Sequence, residues 1–62
     1  MNEVLKKEIK AARLYNYEIA EQLGISEPTF YRMLRKELSP RDRELITNAI
    51  KRLIDKRTTQ YQ

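Results

Sequence analysis

The chain holds 62 residues, among them 13 lysines and arginines against nine aspartates and glutamates for a net charge of +4, with neither histidine nor cysteine. Such a length allows one domain with one small core, burying only about 60% of the surface its unfolded form exposes; the missing residue types exclude disulfide staples and the usual zinc sites, leaving helix packing or oligomerisation as support. The lack of any long apolar run excludes a membrane span and a signal peptide, so a soluble, cytoplasmic protein is expected, and a pI near 9.6 suits a nucleic-acid partner without demanding one.

No segment alternates with a period of two, so the expected fold is all-α, a compact bundle of about four helices. A first helix from Asn2 to about Leu14 places Val4, Leu5, Ile9 and Ala12 on one stripe and Lys6, Lys10 and Arg13 on the opposite side. Tyr15 and Asn16 interrupt the pattern, and Asn16 reads as the N-cap of a short second helix from Tyr17 to Leu23. Gly24 ends that helix, because glycine takes the left-handed conformation of a helix C-terminus at no steric cost. Ser26 caps a third helix reaching about Glu37, with Pro28 tolerated in the first turn, where backbone N–H groups have no intrahelical partner. Ser39 caps a fourth, opened by Pro40, favoured by Asp42 at its positive dipole end, and running to about Arg57. This gives one domain over 1–57 and a polar, frayed tail over 58–62, with no repeat, linker or low-complexity tract.

The stretch from Asn16 to Lys36 is the informative one. Two helices joined by a short glycine-containing turn describe a helix-turn-helix, and equally a helical hairpin. Two steeply crossing helices need a small residue where they touch, which Ala20 supplies, and Gly24 bends the chain. Ile19, Leu23, Ile25, Phe30, Met33 and Leu34 then share one inward side. With those residues turned in, Pro28, Tyr31, Arg32 and Arg35 form the outward stripe of the third helix, with Thr29 and Lys36 at its edges. That stripe suits a DNA major groove, where a recognition helix uses its N-terminal residues and the next turn on base edges. Arg32 is the leading base reader, because arginine offers guanine O6 and N7 two parallel donors. Arg35 and Lys36, a turn further on, suit phosphate. Glu27 suits either a cytosine amino group or the helix dipole.

The run Ile19-Ala20, then Leu23-Gly24-Ile25, then Phe30 and Met33, resembles the helix-turn-helix of phage repressors and Cro-type regulators, including short proteins of bacterial phages and mobile elements. The likeness is close over Asn16 to Lys36 and general elsewhere. It implies that Ser26, Glu27, Pro28, Tyr31 and Arg32 face DNA and that Asn16 and Tyr17 meet phosphate. Two positions depart from the family pattern. Pro28 stands where a hydrogen-bonding side chain is common, which shifts the burden of recognition to Arg32, Tyr31 and DNA shape. Asn16 stands where glutamine usually opens the second helix.

The carboxylates are spread over separate helices, with no histidine, cysteine or glycine-rich loop to complete a nucleophile, metal site or phosphate cradle. An enzyme is therefore not expected, nor a metal, a cofactor or a small-molecule effector. The expected function is sequence-specific binding of double-stranded DNA by a transcriptional regulator, a repressor of a phage, plasmid or conjugative element. The alternatives are a helical protein-protein adaptor and an accessory DNA-binding subunit of a recombination or transfer complex. A homodimer is expected on the fourth helix, where Leu45, Ile46, Ala49, Ile50, Leu53 and Ile54 cover roughly 180° of the circumference against the roughly 100° one core needs. Ile50 and Ile54 are placed in that interface, which would set two recognition helices about 34 Å apart. The competing reading is a monomer whose first helix spreads over the whole arc.

Overall fold

Where each helix begins and ends is set by local caps, and the path of the chain follows from them. The structure, a computed structural model, describes residues 2–60, with side chains described as far as Arg57. Among the described residues four helices follow in order: α1 (Glu3–Ala11), α2 (Asn16–Leu23), α3 (Glu27–Arg35) and α4 (Pro40–Gln60). No strand occurs among the described residues, and the fold is an all-α bundle.

Helices α1 and α2 end in the same way. After α1 the Arg13 N–H donates to the Lys10 carbonyl at 3.0 Å and the Leu14 N–H to the Ile9 carbonyl at 3.1 Å. After α2 the Gly24 N–H donates to Glu21 at 3.1 Å and the Ile25 N–H to Ala20 at 3.0 Å. These paired bonds satisfy carbonyls that a helix end otherwise leaves open, and they require one left-handed residue at the bend. Gly24 supplies it at φ 75°, as the sequence predicts, and Arg13 supplies it at φ 57°. An L-residue pays about 1–2 kcal/mol for that conformation. At Arg13 the outlay is offset from the far end of the chain, where the Arg57 guanidinium donates to the carbonyls of Ala12 at 2.8 Å and Arg13 at 2.7 Å. The same guanidinium lies 3.6 Å from the Glu18 carboxylate, so one side chain of α4 ties down both the end of α1 and the start of α2.

Four boundaries differ from the sequence reading. Helix α1 stops at Ala11, and Leu14 lies beyond it, buried in the turn. Tyr15, not Asn16, is the N-cap residue of α2. Its ring makes no cap hydrogen bond, and Glu18 reaches back instead to accept from the Tyr15 N–H at 3.0 Å. Asn16 is the first helical residue. Helix α3 ends at Arg35 rather than Glu37, where the Asn2 side chain, on a left-handed backbone, donates to the carbonyls of Leu34 at 2.9 Å and Lys36 at 2.7 Å. Helix α4 continues past Arg57 to Gln60, so the start of the expected tail is helical; Tyr61 and Gln62 lie outside the described residues. The expected caps at Ser26 and Ser39 are present, accepting from the N–H groups of Thr29 at 3.3 Å and Asp42 at 3.2 Å.

The core has one fully buried side chain from each of α2, α3 and α4: Ile19, Phe30 and Ile46. Around them close Leu5, Ile9, Leu14, Ala20, Leu34, Leu38, Ala49 and Ile50, with Leu23, Ile25, Met33 and Leu53 half-buried against the cluster. Helix α2 packs on both α3 and α4, so it sets where α3 stands. Val4 was expected on the inward stripe of α1 and is instead 72% exposed. One helical step, about 100°, separates it from Leu5, and the burial of α1 follows the Leu5–Ile9 line.

The turn after α2 is the point most sensitive to backbone chemistry. A Cβ at Gly24 would meet nothing within 4 Å, so the cost of a side chain there lies in the positive φ alone. Gly24→Val is expected to lower stability by about 2 kcal/mol, since left-handed backbone costs an L-residue about 1–2 kcal/mol and a β-branched one more. At roughly 4–8 °C per kcal/mol for a domain of this size, the thermal midpoint should fall by about 8–16 °C. An unchanged midpoint would contradict the left-handed turn.

Candidate nucleic-acid interface

The outward face of α3 is built by elimination. Phe30 and Leu34 point into the core and Met33 is half-buried, which leaves Pro28, Thr29, Tyr31, Arg32, Arg35 and Lys36 exposed. Ser26 and Glu27 are exposed at the start of the same helix. The Ser26 hydroxyl is occupied: it accepts from the Thr29 N–H and shares a 2.7 Å hydrogen bond with the Thr29 hydroxyl. These two side chains therefore hold the first turn of α3 in shape before any ligand arrives. Glu27 lies in the first turn, at the positive end of the helix dipole, and its carboxylate accepts from the Tyr31 hydroxyl at 3.2 Å one turn on. That bond orients Tyr31 along the face. Arg32 and Arg35 both lie in the last turn of α3, and neither forms a salt bridge among the described residues.

At the start of α2, Asn16 is half-buried and Tyr17 is half-exposed. The Tyr17 ring stacks on Tyr15, with centroids 5.5 Å apart and planes at 19°. The two sequence-predicted groups meet at a groove of about 440 Å³ whose lining includes Asn16 from α2 and Tyr31, Leu34 and Arg35 from α3. Ser26, Glu27, Pro28, Thr29, Arg32, Lys36 and Tyr17 are exposed but are not part of that lining.

The groove also contains two residues to which the sequence assigns no site, only the side of α1 opposite its apolar stripe: Lys6 and Lys10. They stand one helical turn apart, so they share a face. Their i, i+4 spacing was visible in the sequence, but their placement beside α3 depends on how α1 crosses the bundle.

The fourth helix is used differently from the expectation. Ile46, Ala49 and Ile50, all expected in a dimer interface, are instead buried in the chain's own core, so they are not available as a surface. The arc is wide because its centre faces α2 and the core. What remains exposed is Leu45 at 47% and Ile54 at 41%, with Leu53 half-buried. Leu45 and Ile54 are nine positions apart, about 180° around the helix, so they flank the buried stripe on opposite edges. Leu45 shares a shallow groove with half-buried Leu23 of α2.

Among the described residues, no group of three or more Asp and Glu side chains is placed to hold a metal ion, and no helix is long and apolar enough to cross a membrane. Comparison with models of known families, with curated proteins and with solved structures finds no match to this chain.

Proposed function

We propose that α2, its glycine turn and α3 act as a helix-turn-helix that binds double-stranded DNA sequence-specifically, in a regulator of transcription rather than an enzyme. The observation that carries this reading is the split of α3: Phe30 and Leu34 are locked in the core, while Tyr31, Arg32 and Arg35 stand exposed together on a helix whose first turn is already capped. A recognition helix needs this combination of a fixed axis and a free polar face.

In the proposed complex, α3 enters the major groove with its N-terminal half foremost. Arg32 forms two parallel hydrogen bonds to a guanine, and Pro28 and Tyr31 make apolar and edge contacts. Arg35 and Lys36 hold phosphates, as do Asn16 and Tyr17 at the N-terminus of α2, where backbone N–H groups and the helix dipole favour an anion. With Glu27 accepting from Tyr31, its part is to orient that ring and serve the dipole. The resemblance to phage repressors and Cro-type regulators makes a repressor of a phage, plasmid or conjugative element, working in the cytoplasm, the form this function takes. The protein works as a homodimer, and of the two exposed edges of α4 the Leu45 edge, continuous with Leu23, is the one assigned to the partner copy.

A titration of labelled duplex DNA tests the reading. Binding should weaken steeply as salt rises, with log K falling linearly against log salt at a slope of about −0.9 per phosphate contacted. An adaptor for an acidic protein gives no saturable duplex binding at any salt, and that result would overturn the proposal.

A further inference from the structure

Apart from Tyr31, the residues that line the basic groove between α1 and α3 are not among those assigned to bases. We infer that this groove is a seat for the sugar-phosphate backbone of one DNA strand, so that the duplex is held by three helices and Lys6 and Lys10 of α1 are phosphate ligands. The inference rests on the DNA-binding reading above.

Three features point to this ligand. First, the groove brings together Lys6 and Lys10 from one helix and Arg35 from another, and no carboxylate is among its lining residues. Elsewhere on the surface the groove between α2 and α4 mixes Glu18 and Glu21 with Lys56, and that beside the start of α4 mixes Glu37 and Glu44 with Arg43 and Lys51. The charge of Lys6 favours the Glu3 carboxylate on the same helix, but Glu3 does not line the groove, so the three cations gathered there with no carboxylate in the lining keep their attraction for an outside anion. Second, the remaining polar lining is Asn16, at the first position of α2, and Tyr31, whose hydroxyl is tied to Glu27. An amide, a phenol and the N–H groups of a helix start are the usual company of phosphate in protein–DNA contacts. Third, Tyr31 and Arg35 belong both to this lining and to the exposed face of α3, so a strand lying in the groove runs directly alongside the helix that reads its bases. A peptide partner of acidic character would find the same cations, but the groove has no deep apolar pocket role for anchor side chains beyond its Ile9, Leu14 and Leu34 floor, which the core already claims.

The test is the salt dependence of duplex binding by Lys6→Ala/Lys10→Ala. Both side chains are exposed, so the fold should hold, and coincident thermal melts verify it; Lys6→Gln/Lys10→Gln carries the test if the alanine variant melts early. The double variant should lower the magnitude of the log K against log salt slope by about two units and weaken every duplex alike, with base preference unchanged. A wild-type protein that binds duplex with a slope the double variant leaves intact overturns the groove and spares the α3 reading. A wild-type protein that binds no duplex overturns both.

Discussion

Replacing Phe30 by alanine is expected to remove about 3–5 kcal/mol of stability, the range for truncating a fully buried aromatic side chain. Phe30 has no exposed surface and sits with Ile19 and Ile46 where α2, α3 and α4 meet. Its loss removes apolar contact from all three and leaves a cavity that short helices, pinned by caps at Ser26 and Gly24, can fill only in part. At about 0.05–0.15 kcal/mol of stability per residue a domain of this size holds about 3–9 kcal/mol, so the loss takes a third or more of it and the thermal midpoint should fall by about 12 °C or more. Circular dichroism on heating measures it directly. Val4→Ala is the matched control: Val4 is 72% exposed, and the change should stay within about 0.5 kcal/mol. A Phe30→Ala protein melting within a few degrees of wild type would contradict the packing described for α3.

Arg32→Ala should leave stability unchanged and cost about 1–3 kcal/mol of binding to the preferred DNA site, roughly 5- to 150-fold in affinity. The side chain is exposed and projects from the polar stripe of α3, so its removal takes nothing from the core. What it removes in the proposed complex is a bidentate bond to guanine, so preference at one base pair should relax while the others hold. Lys36→Ala should behave otherwise, weakening all duplexes alike and lowering the salt slope by about one unit. Lys36 ends α3 in extended backbone, past the residues that reach base edges. If both variants keep wild-type affinity, base preference and salt dependence, the assigned face is wrong.

The parts of the fold that depend on neighbours in the chain were legible. Gly24, Ser26 and Pro28 mark the turn between α2 and α3, and Ser39 and Pro40 mark the start of α4, because each acts on backbone within a few residues. The apolar cluster of Ile19, Phe30 and Leu34 followed from helical spacing in the same way. Contacts across the bundle were not legible. Arg57 reaches carbonyls of Ala12 and Arg13, and Asn2 closes the end of α3. Neither residue carries a local pattern that announces its partner. The same limit explains α4: its spacing shows a broad apolar arc, but only the position of α2 and the core decides that Ile50 lies inside and Leu45 outside. At the candidate interface the stripe of α3 was read from the sequence, while Lys6 and Lys10 were missed because their nearness to Arg35 is a matter of tertiary placement.

Selection of bound sites from a pool of random duplexes tests the central claim most directly, since it asks the folded protein which sequence it prefers without presuming an operator. The account predicts enrichment of a two-fold symmetric consensus with a guanine in each half, the half-site centres about 10–10.5 base pairs apart, as two copies of α3 on successive major-groove turns require. A pool that shows no enriched sequence after repeated rounds with folded protein would contradict it.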